Sequence, residues 1–135
     1  LNITSTQLAK RVEKWQKHLA PLGIGHWNIE SVNLVDETPA DVGAQATVGS
    51  HSLYDNCIFW FTHSFIEEAT ERELDETIVH EWLHVAMRSF DQAITSVEDS
   101  LAPAVNDQWH SWVHHEREGL VERLALLICS FTDVN

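Results

Sequence analysis

Thr77 to Ala86 reads TIVHEWLHVA, and within it His80-Glu81-Trp82-Leu83-His84 has the pattern H-E-x-x-H. This pattern constrains the chain more than any other stretch, because it asks for one local geometry. On an α-helix residues i and i+4 stand one turn apart on the same face, so His80 and His84 aim two imidazoles at one point. Glu81 follows the first of them and can reach a water held at that point. Two imidazoles and a neighbouring carboxylate are the parts of a site in which a metal ion activates water.

Nine histidines and thirteen glutamates in 135 residues would produce the pattern by shuffling in about 6% of such chains, so the flanks must carry part of the weight. They do. Val79, Trp82, Leu83, Ala86 and Phe90 recur at helical spacing and form an apolar stripe beside the histidine face. Acids crowd Glu67 to Glu76, where they suit the positive end of a helix dipole. Thr70 with Glu73 has the spacing of a capping box, so a helix is expected over Glu71–Ser89. The competing reading is an amphipathic helix with two solvated histidines.

The ten residues Thr77 to Ala86 resemble the extended zincin signature, in which uncharged residues flank H-E-x-x-H and no proline interrupts it. The resemblance implies one zinc ion per chain, held by His80 and His84, with Glu81 as the general base of peptide hydrolysis. It also implies an α+β fold: an N-terminal helix, a small, mostly antiparallel three-stranded sheet, the motif helix, and a C-terminal helix supplying the third ligand. The metzincin continuation is absent, because Val85-Ala86-Met87-Arg88-Ser89-Phe90 has neither its glycine nor its histidine. Cys57 does not stand in the strand motif of peptide deformylases. In the gluzincin variant a glutamate on a following helix is the third ligand. Glu118 of Glu118-Gly119-Leu120-Val121-Glu122 takes that role by resemblance, with Glu122 orienting an imidazole from behind. Glu116, Glu122, His110, His114 and His115 stay open as alternative ligands. His110, His114, His115 and Tyr54 are candidates for the donor that stabilises an oxyanion.

The rest of the chain fits one domain over residues 1–135. A first helix is expected over Thr4 to Ala20, capped by Ser5 or Thr6, with Leu8, Val12, Trp15 and Leu19 on its apolar side. Strands are expected at Trp27–Val35, Ala44–His51 and Cys57–Thr62, the last (CIFWFT) carrying the strongest signal. By the same resemblance Ile58, Phe59, Trp60 and Phe61 would be an edge to which a peptide substrate adds as a strand; a buried central strand is the competing reading. Phe90 to Asp107, with Pro103, reads as a loop or broken helix. Asn106 to Phe131 reads as the last helix, with Leu120, Val121, Leu124, Leu127, Ile128 and Phe131 on its apolar side. The six tryptophans read mainly as core.

A formal net charge of −13 repels phosphate backbones, so nucleic acid is not an expected partner; a peptide or protein substrate is. No apolar run approaches a membrane span and no signal-peptide pattern opens the chain, which starts at Leu1. Cys57 and Cys129 read as free thiols in apolar settings, and a cytoplasmic location is the expectation. A reading from another class is a zinc-binding, catalytically silent interaction module. Intact Glu81 and the lack of a cysteine-rich closed ligand set weigh against it.

Overall fold

The computed structural model describes residues 1–40, 43–51 and 54–132. They form an α+β fold of five helices and a three-stranded mixed sheet. Helix α1 spans Ser5–His18. Its cap is Thr4, one residue ahead of the expected Ser5 or Thr6, because Gln7 reaches back to close a capping box with it. Leu8, Val12 and Trp15 recur at helical spacing on α1 and are buried. A short 3₁₀ turn at Ala20–Leu22 follows, and Gly23, at φ +86°, ends it in the left-handed region that a side chain would disfavour.

Strands β1 (Asn28–Val35), β2 (Ala46–His51) and β3 (Asn56–Thr62) lie in the order β1-β3-β2. β3 runs parallel to β1 and antiparallel to β2, so half of the pairing departs from the mostly antiparallel expectation. The order also overturns the placement of Ile58, Phe59, Trp60 and Phe61 at an edge: they lie in the central strand, hydrogen-bonded on both sides. The reason lies in composition. The most apolar strand gains most from the middle of the sheet, where neighbours cover it. Cys57, Phe59 and Phe61 alternate onto the helix-covered face and are buried. On the other face the Trp60 ring lies against Gly49, where a Cβ would stand 3.0 Å from it.

Helix α2 (His63–Glu68) is short, capped by Thr62, and absorbs part of the acidic run. Helix α3 (Glu71–Ala86) carries the motif and begins at the expected capping box of Thr70 and Glu73. Its core face, with Leu74, Ile78, Val79 and Trp82, is fully buried. Phe59 and Trp82 meet with ring centroids 4.8 Å apart, locking α3 to the sheet. A buried polar cluster ties α3 to α1: Asp75 accepts from Arg11 Nε (2.6 Å) and Nη2 (2.8 Å) and from Trp15 Nε1 (2.8 Å).

The segment expected as a loop or broken helix is helix α4 (Arg88–Glu98) followed by the start of helix α5 (Pro103–Phe131). Pro103 opens α5 rather than breaking a helix, since the first turn needs no backbone N–H from it. α5 packs on α3 through Val121 and Ala125. Leu120, Leu127 and Phe131, expected on its packed side, are 43%, 53% and 84% exposed. At Gly119 no other helix comes close: among the described residues a Cβ there would meet the Arg123 guanidinium alone. Trp15 and Trp82 are core, whereas Trp112 is exposed. Cys57 and Cys129 are free, and burial pushes both thiols up to about 12. No helix among the described residues is long and apolar enough to cross a membrane.

Candidate metal centre

The i, i+4 spacing of His80 and His84 on α3 brings their Nε2 atoms to 3.2 Å. α5 closes the third side. Glu118 Oε2 lies 3.4 Å from His80 Nε2, and Glu118 Oε1 lies 3.3 Å from His84 Nε2. Ligands about 2.0–2.1 Å from a tetrahedral ion stand about 3.3 Å from one another. The two Nε2 atoms stand at such an edge, each has a different oxygen of Glu118 near that distance, and the donors (two imidazoles and a carboxylate), with one ligand atom from each within 4.8 Å of the others, suit a divalent ion. Among the described residues this is the group of at least three such side chains with convergent ligand atoms.

Glu122, one turn beyond Glu118, places Oε2 3.1 Å from His80 Nδ1. It thus holds the ring nitrogen that faces away from the cluster. Burial pushes His80 down, but the Glu118 hydrogen bond and the charges of Glu81, Glu118 and Glu122 outweigh it, leaving its pKa raised. Hydrogen bonds to His80 and His84 hold Glu118 well below the usual carboxylate range.

Glu81 is buried and faces both histidines from the sheet side. Desolvation raises its pKa, against the pull of His84 and His80. It also accepts from the backbone N–H of Val48 on β2. That bond identifies the edge that borders the site. Backbone groups of alternate strand residues point the same way, so Ala46, Val48 and Ser50 turn theirs from β3 toward the helices. Arg88 Nη1 donates to the Ser50 carbonyl and hydroxyl on that side. The edge beside the histidines is β2, not β3.

Between β2, α3, α4 and α5 lies a hollow of about 770 Å³, bordered by Val48, His80, Glu81, His84, His114 and Glu118. His114 is the one of the four donor candidates in this wall. Arg117 Nη2 lies 2.9 Å from His114 Nδ1, and Asp91 holds Arg117 at 3.0 Å. A guanidinium only donates, so Nδ1 accepts and the proton of the neutral ring sits on Nε2. His110 stacks on His114 and is engaged by Glu98. His115 is exposed, and Tyr54 stands exposed in the β2–β3 turn; neither borders the hollow. Glu116 lies in a different groove. The sequence reading missed Arg88, Asp91 and Arg117. Only the i, i+3 spacing of His114 and Arg117 hinted at their pairing.

Comparison of the chain with family models, with curated proteins and with solved structures gave no match.

Proposed function

We propose that the chain is a zinc-dependent metallopeptidase of the zincin type. One observation carries the reading: two imidazoles and a carboxylate converge, with one ligand atom from each within 4.8 Å of the others, beside a buried carboxylate that belongs to the same motif. His80, His84 and Glu118 would hold the ion, leaving a fourth position for water or substrate. When bound there, zinc lowers the pKa of a water toward about 7 and polarises a carbonyl.

The side chains do the rest. Glu81 takes a proton from the attacking water and delivers it to the leaving amine. Its desolvated carboxylate, with a pKa raised toward working pH, suits a group that must both accept and return a proton. Glu122 fixes the His80 ring through Nδ1. His114 offers its Nε2–H to the developing oxyanion, its tautomer set by Arg117 and Asp91. An extended peptide adds to the edge of β2, where the outward backbone groups of Ala46 and the carbonyl of Val48 border the cleft, the Val48 N–H being held by Glu81. Arg88 occupies the Ser50 carbonyl and so ends that run.

The test is Glu81→Gln in the zinc-loaded chain, assayed by mass spectrometry on a diverse peptide library. Hydrolysis falls by about 10²–10⁴-fold while zinc stays bound. Cleavage that survives the substitution sinks the mechanism. Stoichiometric zinc with no cleavage by the wild-type chain would favour the silent binding module.

A further inference from the structure

Among the described residues, none covers the side of α5 that faces away from the metal cluster. Glu118, Val121 and Ala125 point toward α3. Half a turn round the helix, Val105, Trp112, Leu120 and Leu127 recur at helical spacing and are 53%, 60%, 43% and 53% exposed. α4 extends this face with Phe90, 59% exposed, and the two helices enclose an apolar groove of about 390 Å³. A single scattered apolar side chain on a surface means little, but a continuous stripe marks a contact site.

The charges along the stripe say what fits it. The chain carries −13, and four of its eight Lys and Arg residues lie in α1. Of the other four, Arg117 and Arg123 border this groove, together with Glu116. Glu116 and Arg123 are equidistant from the midpoint between Gly119 and Leu120. A two-fold axis through that midpoint sets Glu116 of each copy against Arg123 of the other. The same axis opposes Trp112 to Leu127 and Val113 to Leu126, apolar on apolar. A parallel pairing would instead set Glu116 on Glu116 and Arg123 on Arg123. Gly119 then lies at the crossing, and no contact with the described residues of its own chain requires a glycine there. A missing side chain lets two backbones approach.

We propose that this face of α5 is the two-fold contact of a homodimer, made antiparallel with a second copy of this chain. α5 has 29 residues and is thus roughly 43 Å long. With the α4 flank it offers on the order of 500 Å² per copy, below the roughly 800 Å² of standard interfaces, which points to micromolar association. The metal clusters lie on the opposite sides of the two helices, so both clefts stay open. The proposal is independent of whether the cleft hydrolyses peptides.

The experiment is sedimentation equilibrium of the zinc-loaded full chain from about 1 to 200 µM. The wild-type mass doubles across that range. Glu116→Arg and Arg123→Glu each oppose like charges and weaken association at least about tenfold. The double substitution restores opposite charges and returns association to within a few-fold of wild type. Both side chains are exposed, so folding is preserved, with far-UV circular dichroism as the check. A chain that stays monomeric throughout assigns the face to another occupant and overturns the proposal. So do single variants that associate like wild type, or a double variant that does not recover.

Discussion

Glu118 and Glu122 stand one turn apart on α5 and touch the same histidine, yet the geometry gives them unequal jobs. Glu118 presents both oxygens to the two Nε2 atoms, at 3.3 and 3.4 Å, so on the proposed reading its loss removes a ligand. Glu122 reaches only His80 Nδ1, at 3.1 Å, from a side chain that is 61% exposed. An outer partner of a metal-bound histidine is worth about 10–100-fold in affinity. At that exposure water replaces much of the contact, which puts Glu122→Ala at the low end, about tenfold or about 1.4 kcal/mol. Glu118→Ala should exceed the top of that range, more than about 100-fold, because it removes a bond to the ion itself. Competition against a chromogenic chelator measures both on one scale, with circular dichroism to confirm folding. If Glu122→Ala weakens zinc as much as Glu118→Ala, or if Glu118→Ala costs less than about tenfold, the assignment of ligand and orienting partner is wrong.

Two further outcomes follow from other parts of the structure. Asp75→Ala leaves the Arg11 guanidinium and the Trp15 indole N–H without their buried acceptor, although Glu71 still pairs with Arg11. The expected loss in urea unfolding is about 3–5 kcal/mol, and a loss below about 1 kcal/mol would show that α1 is not anchored to α3 this way. His80 and Glu81 both have raised folded pKa values, so their contribution to apo stability is full below the unfolded values and is lost as pH rises through the folded ones. Glu118 is lowered, and its contribution is constant well above the carboxylate range. Zinc bound as proposed would also displace a proton from His80 at low pH. The zinc-induced rise in Tm should therefore grow from about pH 6 to about pH 8 in scanning calorimetry; a larger rise at the lower pH would contradict the sign.

The local parts of this protein were legible because helices write their geometry into spacing. Thr70 and Glu73 announced where α3 begins, and Leu8, Val12 and Trp15 announced the buried side of α1. α5 was harder to read, since apolar residues stand nearly all round it. Leu120 and Val121 are adjacent, yet one faces solvent and the other is fully buried against α3. Periodicity shows that a helix is apolar but not which side a neighbour covers. α4 was misread for a related reason: Pro103 signals a boundary, and only the folded chain shows that a helix ends before it and another begins with it.

By itself the sequence determined the pairing of His80 with His84 and the position of Glu81 beside them, because one turn of helix fixes those relations whatever surrounds it. It also supplied a chemically suitable set of acids on the last helix. The tertiary structure alone decided which acid meets the histidines, by the angle and depth at which α5 packs on α3. It decided that β2 rather than β3 borders the cleft, because strand order is a competition for burial among all three strands. It decided the tautomer of His114, through an arginine from its own helix held by an aspartate from another. Contacts within one turn are fixed by covalent geometry; contacts between elements depend on which faces the whole chain can bury together.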